Sequence, residues 1–138
     1  GAGRPDKRWP VARFGALARR LTDDTGAAVL VTWGPGELED ARAVLDGPTG
    51  RVALAPPTSL DELVAVLRRA SVVVAGDTGP LHLAAALGTP CVGLYGPTSA
   101  ERNGPYGPAH RTLAAPDGAM PSLDVEPVAR SVAEILAR

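Results

Sequence analysis

The chain has 138 residues, 45% hydrophobic and only 4% aromatic, enough for one packed domain with a core of Ala, Val and Leu. Its 14 basic and 15 acidic residues leave a formal net charge of −1, which argues against a polyanion-binding surface and against nucleic acid as the main partner. Cys91 is the single cysteine and cannot form an internal disulfide, no apolar run reaches the ~20 residues that span a bilayer, and no signal peptide opens the sequence, so a cytoplasmic domain is expected.

Gly and Pro punctuate alternating helix and strand patterns along the chain. Trp9-Pro10 introduces a helix in which Val11, Phe14, Leu17, Ala18 and Leu21 recur at helical spacing. Pro10 suits a first turn, Gly26 stops the helix, and Trp9 is placed for a hydrophobic staple onto it. Residues 28–32 (AVLVT) read as a buried parallel strand, followed by the turn Gly34-Pro35-Gly36 and a helix over 37–45. A second strand covers 51–54. Thr58 or Ser59 then caps a helix over 60–70, with Glu62 completing a capping box if Ser59 is the cap.

The third strand spans 71–75, a short Ala-rich helix 80–87, and the fourth strand 91–95. Residues 96–110 read as a long Gly/Pro-rich loop, a fifth strand covers 111–114, and Ser122 or Asp124 starts a closing helix carrying Val128, Val132, Ile135 and Leu136. Strictly alternating strands and helices imply an α/β fold, a Rossmann-like parallel sheet with helices on both faces. Ligands of such folds bind at the carboxyl ends of the strands.

The segment DTGPLHLAA, Asp77 to Ala85 with Ala86 following, joins a strand directly to a helix. Gly79 lets a ligand approach the backbone, the first-turn amides and the helix dipole favour an anion, and His82 can donate to a phosphate oxygen. Those features describe a pyrophosphate cradle. A plainer role fits the same residues: Asp77 or Thr78 as a helix cap, and His82 as a surface histidine. Cys91 has no partner at metal-ligand spacing, so neither metal nor cofactor is expected.

GDTGPLHLAAALGTPCVGLYGPT resembles the donor-site signature of glycosyltransferase family 9, the lipopolysaccharide heptosyltransferases. The family pattern is Asp-(Ser/Thr)-Gly, two residues, His, a small-residue helix, Pro, an apolar strand, then (Phe/Tyr)-Gly-Pro-Thr. GAGRPDKRWPVARFGALARRL is similar to its phosphate loop and following helix. The resemblance implies the C-terminal half of a GT-B enzyme, an inverting transferase that takes heptose from ADP-heptose to a lipopolysaccharide-core glycolipid acceptor.

It further implies that Lys7, with the backbone of Ala2 and Gly3, meets the donor pyrophosphate. Asp77, Thr78, Gly79 and His82 hold the phosphates and the sugar, and Glu37 (or Glu39) holds the ribose. The bland roles are a solvated cation for Lys7 and a dipole-favoured first-turn carboxylate for Glu37. Arg102, Tyr106 and His110 could line the cleft, and Tyr95 packs against a loop. The presumed catalytic base belongs to an N-terminal acceptor domain outside residues 1–138, so this single donor-binding domain is expected to be inactive alone. It is expected to be peripheral to the inner membrane, if membrane-associated at all, in the full-length protein. A sugar-nucleotide epimerase of the same fold, or a non-catalytic flavodoxin-like nucleotide-binding domain, are the alternatives.

The family's first strand of this domain is also expected to precede residue 1. Burying two apolar edges then calls for direct pairing of 29–31 with 72–74, in the order 2-1-3-4-5. A strand supplied from elsewhere would hold them about 9–10 Å apart instead.

Overall fold

The computed structural model describes residues 5–45 and 51–138. A one-turn helix at Pro5–Lys7 leads into α1, Val11–Thr25, then β1, Val29–Val31, and α2, Leu38–Val44. β2, Val52–Leu54, α3, Leu60–Arg69, β3, Val73–Gly76, and α4, Gly79–Ala86, follow. The chain ends with β4, Cys91–Tyr95, α5, Ala100–Asn103, β5, Arg111–Ala114, and α6, Val125–Leu136. The expected elements are all present, with ends shifted by one or two residues, and α5 is an addition inside the Gly/Pro-rich loop. No helix among the described residues is long and apolar enough to cross a membrane.

β4 is the middle strand of the parallel sheet β3-β4-β5, and all five of its residues are buried. Because side chains alternate along a strand, Val92 and Leu94 face one layer while Cys91 and Tyr95 face the other. The first layer is α1 and α6, packed with Trp9, Met120 and Leu123; the second is α3 and α4, through Leu67, Leu81 and Ala84. Small residues permit the close approach. A Cβ on Gly93 would lie 2.9 Å from the Tyr95 ring and 3.1 Å from Leu81, so the strand must be bare at that point.

The helix ends obey local chemistry. Ser59 accepts from the Glu62 amide while Glu62 accepts from the Ser59 amide, a complete capping box. Pro10 is the N-cap of α1, and Trp9 before it meets Phe14 edge-on, with ring centroids 4.9 Å apart, which is the expected staple. The indole of Trp9 also donates to the Leu123 carbonyl at 2.9 Å, tying the N-terminal segment to the turn before α6. Gly26 closes α1 in the left-handed conformation, φ 70°, a region that costs a side-chain-bearing residue dearly.

The sheet order corrects one expectation. β1 pairs in parallel with β2, but β1 and β3 share no ladder, so the order is β2-β1 and, separately, β3-β4-β5. The expectation assumed that apolar edges need one another. Instead Val29, Val72 and Val74 all pack against the single cluster formed with α1 and α6, so their burial does not require pairing. A groove of about 570 Å³ lies between the residues leading into β1 (Ala27, Ala28) and into β3 (Ser71). β1 is also less buried than its apolar run suggests: Leu30 is 47% exposed, because α1 covers one face and the other is open.

Trp9→Phe removes both the indole hydrogen bond and part of the ring filling the α1–α6 layer. Urea denaturation should show a loss of roughly 1–3 kcal/mol. Undiminished stability would mean that the N-terminal segment is not anchored through Trp9.

Candidate functional site

Asp77 follows β3 directly and lies at the carboxyl end of the sheet, with its side chain 10% exposed. A carboxylate so far from water needs donors or cations. It has them: His82 Nε2 lies 2.7 Å from Oδ1, and Lys7 Nζ lies 3.8 Å from Oδ2. The Thr98 hydroxyl stands beside the same carboxylate. Burial alone would raise the Asp77 pKa, but His82, Thr98 and Lys7 together outweigh it and hold the carboxyl below its ordinary range.

Lys7 reaches this point because its segment lies against the end of β3. A Cβ on Gly76 would sit 3.1 Å from the Lys7 carbonyl oxygen, so only glycine there lets the two backbones meet. Sequence reasoning credited Gly79 with the close approach and passed over Gly76; the strand-to-loop Gly before the Asp was its signal. Gly79, expected to let a ligand approach the backbone, has nothing among the described residues within 4 Å of a Cβ placed on it.

α4 begins at Gly79 with Thr78 as its N-cap, the Thr78 hydroxyl accepting from the Leu81 amide at 3.4 Å. The His82 amide donates to the Thr78 carbonyl, and Pro80 has no N–H. Gly79 therefore supplies the first-turn amide, at the positive end of the helix and beside two cationic or donor side chains. Lys7, Asp77, Thr78, Gly79 and His82 thus converge at one point, and the arrangement suits an anion with several oxygens.

Glu37 follows a different strand, β1 rather than β3, with the Arg8 charge near enough to favour its ionised form. It lies at the start of α2 and its Oε1 accepts from the Gly34 amide at 2.8 Å, closing the turn after β1. That turn is itself at the carboxyl end of the sheet, where Trp33 Nε1 donates to the Ala55 carbonyl at 2.7 Å beyond β2. Glu39 is exposed on α2. Ala2 and Gly3 lie outside the described residues.

The remaining loop residues have structural partners. Nδ1 of His110 accepts from the Cys91 amide at 3.1 Å, at the opposite end of β4 from Asp77, so His110 does not line the cleft. Its burial pushes its pKa down, in keeping with a neutral ring that must accept. The Tyr106 hydroxyl donates to the Arg102 carbonyl at 2.7 Å, and its ring lies over Gly104. Burial pushes the Cys91 thiol up to about 11, and burial with the Asp77 charge pushes the Tyr95 phenol up to about 12.

The family model for glycosyltransferase family 9 (heptosyltransferase) matches residues 1–132. The chain belongs to this family. Lipopolysaccharide heptosyltransferase 1 of Salmonella typhimurium is 37% identical over 126 residues, 91% of this chain and 39% of that protein. The solved structure titled E. coli heptosyltransferase WaaC with ADP superposes with a TM-score of 0.89 at 34% identity, over 98% of this chain and 42% of that one. Its counterpart with ADP-2-deoxy-2-fluoro heptose gives 0.85 at 34% identity, over 97% and 41%. The chain therefore spans about two fifths of the length of these family members, and it has their α/β, parallel-sheet architecture.

Two predictions follow from the charge arrangement. The folded-state pKa of Asp77 is depressed, so its stabilising contribution is complete above an unfolded value of about 3.9 and is lost as pH falls through the folded value. Asp77→Asn should therefore be less stable than wild type at pH 7, with the gap closing below about pH 4 in denaturation curves. A pH-independent gap would show that the carboxylate charge is not what holds the site. Separately, Lys7→Ala and His82→Ala should each weaken nucleoside-diphosphate binding by about 1–3 kcal/mol without collapsing the fold. Variants that melt far lower yet bind normally would mean that these side chains are structural.

Proposed function

We propose that this chain is the donor-binding domain of an inverting heptosyltransferase, and that it holds ADP-heptose at the N-terminus of α4. The observation that carries this reading is the convergence of Lys7, Asp77 and His82 on the Gly79 amide, in a chain whose family members were solved with ADP and an ADP-heptose analogue. We assign it an acceptor of the lipopolysaccharide-core type, in keeping with relatives named lipopolysaccharide heptosyltransferase.

The chemistry requires that negative charge building on the departing diphosphate be stabilised as the glycosidic bond to the nucleotide breaks. Lys7 supplies a fixed cation. His82 supplies a donor from a side chain 43% exposed, free to turn from Asp77 toward a phosphate oxygen. The α4 dipole adds roughly half a unit of positive charge at the same point. Glu37 is assigned to the ribose, by virtue of its turn at the carboxyl end of β1, and Ala2 and Gly3 to the phosphates with their backbone amides. None of these groups is assigned as the base for the acceptor hydroxyl. Asp77, engaged by His82 and Lys7, is a poor proton acceptor, and the base is assigned outside these 138 residues.

Calorimetric titration with ADP, UDP and GDP tests the reading. ADP should bind more tightly than either of the others, and the Lys7 and His82 variants should lose ADP affinity. Equal or tighter binding of UDP would rule out the ADP-heptose assignment.

A further inference from the structure

The turn that carries Glu37 is fastened to the neighbouring strand by a side chain that the site described so far does not use. The β1–β2 ladder ends where the Ala55 amide donates to the Val31 carbonyl at 2.9 Å. Two residues further along, Trp33 Nε1 donates to the carbonyl of the same Ala55 at 2.7 Å. Ala55 is 2% exposed, so its carbonyl needs a donor once the ladder has ended, and the indole supplies it. Both backbone groups of Ala55 thus bind β1 and its continuation, the second through a side chain.

Trp33 adjoins Gly34, and Gly34 holds Glu37. The Gly34 amide donates to Glu37 Oε1 at 2.8 Å, and the Glu37 amide donates back to the Gly34 carbonyl at 3.1 Å. A Cβ on Gly34 would lie 3.1 Å from that same carboxylate oxygen, so a side chain there would crowd it. Glu37 is the N-cap of α2 yet makes no side-chain capping bond. A carboxylate that served only the helix would accept from its first amides, whereas this one is turned back onto the turn. The Gly34 amide fixes one oxygen, and with it the orientation of the group.

We propose that Trp33 is a positioning residue for the donor ribose: its indole clamps the Trp33-Gly34 backbone to Ala55 and so sets the Glu37 carboxylate where it receives the ribose hydroxyls. The proposal rests on the assignment of Glu37 to the ribose. Acidic side chains at the carboxyl ends of such sheets bind ribose by accepting from its hydroxyls. A carboxylate set in advance loses less freedom on binding than one on a loose turn. β1 and β2 pair with each other and not with β3. The clamp therefore acts on the nucleoside part of the ligand, not on the diphosphate assigned to Lys7 and the residues that follow β3. Trp33 acts through Glu37 rather than by contact with the ligand.

Trp33→Phe keeps an aromatic ring and removes the N–H. Calorimetric titration of the protein as expressed, and of its variants, tests the proposal with three ligands: ADP, a dideoxy-ADP lacking both ribose hydroxyls, and inorganic pyrophosphate. Wild type should bind ADP about tenfold more tightly than dideoxy-ADP, the worth of a hydrogen bond to a charged group. Trp33→Phe should bind ADP about tenfold more weakly, while its affinity for dideoxy-ADP and pyrophosphate changes by no more than about twofold. Glu37→Ala should lose the same preference for ADP over dideoxy-ADP, and adding Trp33→Phe to it should bring little further loss. A Trp33→Phe protein that keeps the wild-type preference overturns this proposal alone. So does one that loses pyrophosphate binding as well, or a double variant in which the two losses add in full. A wild type that binds ADP and dideoxy-ADP equally overturns the Glu37 assignment, and this proposal with it. One that binds neither ADP nor pyrophosphate overturns the donor-site reading as a whole.

Discussion

Everything at the ligand end of this domain is arranged around a carboxylate that water barely reaches. Asp77 is tolerable at 10% exposure because donors and a cation face it, His82 and Lys7 among them, and those two arrive from opposite directions in the sequence. His82 comes with the helix that Thr78 caps. Lys7 comes on a segment pressed against Gly76 and fastened by the Trp9 indole to Leu123, more than a hundred residues away. Removing His82 or Lys7 takes a stabilising group from a carboxylate that water barely reaches. The carboxylate thus holds Lys7 and His82 in place, and on the donor-site reading that lowers the entropic cost of binding a ligand there.

The scaffold beneath the site depends on β4. A strand buried along its whole length can pass packing from one helical layer to the other, and here Val92 and Leu94 bind α1 and α6 while Cys91 and Tyr95 bind α3 and α4. Thr89, just before the strand, donates to the Leu67 carbonyl at 2.9 Å and joins the end of α4 to α3. β3 and β4 are therefore fixed relative to each other, and so are Asp77 and Thr98, which continue from their ends. β1 and β2 form their own pair, and the Glu37 turn rides on that pair. The ribose assignment thus stands on a different part of the scaffold from the diphosphate assignment.

Where local chemistry decides the outcome, the sequence was readable. Ser59 and Glu62 make a capping box because the spacing places each side chain over the other's amide, and Trp9 meets Phe14 because a residue before the cap and one four positions into the helix share a face. The donor segment was legible for the same reason, as a strand, a turn and a capped helix in unbroken order. Long-range outcomes were not. An apolar triplet such as Val29–Val31 reads the same whether one face or two are covered, so the exposure of Leu30 could not be foreseen. The absence of a β1–β3 ladder likewise depends on a shared side-chain cluster drawn from helices far apart in sequence. His110 was read as a possible cleft residue because loop position says nothing of direction, and it points instead to the Cys91 amide.

The two ends of the parallel sheet differ in a way that is independent of any family resemblance. At the end where β4 begins, polar groups are closed off: His110 accepts from Cys91, and Thr89 donates to Leu67. At the end where β4 finishes, the buried hydroxyls of Tyr95 and Thr98 have no hydrogen-bond partner among the described residues, Lys7 stands 3.8 Å from the Asp77 carboxylate, and no described residue lies within 4 Å of a Cβ on Gly79. Side-chain hydroxyls without a partner among the described residues thus lie at the carboxyl end of the strands, the end at which parallel α/β sheets bind ligands. Asp77, Thr78, Gly79 and His82, the residues of the donor signature, lie at that same end, where β3 passes into α4.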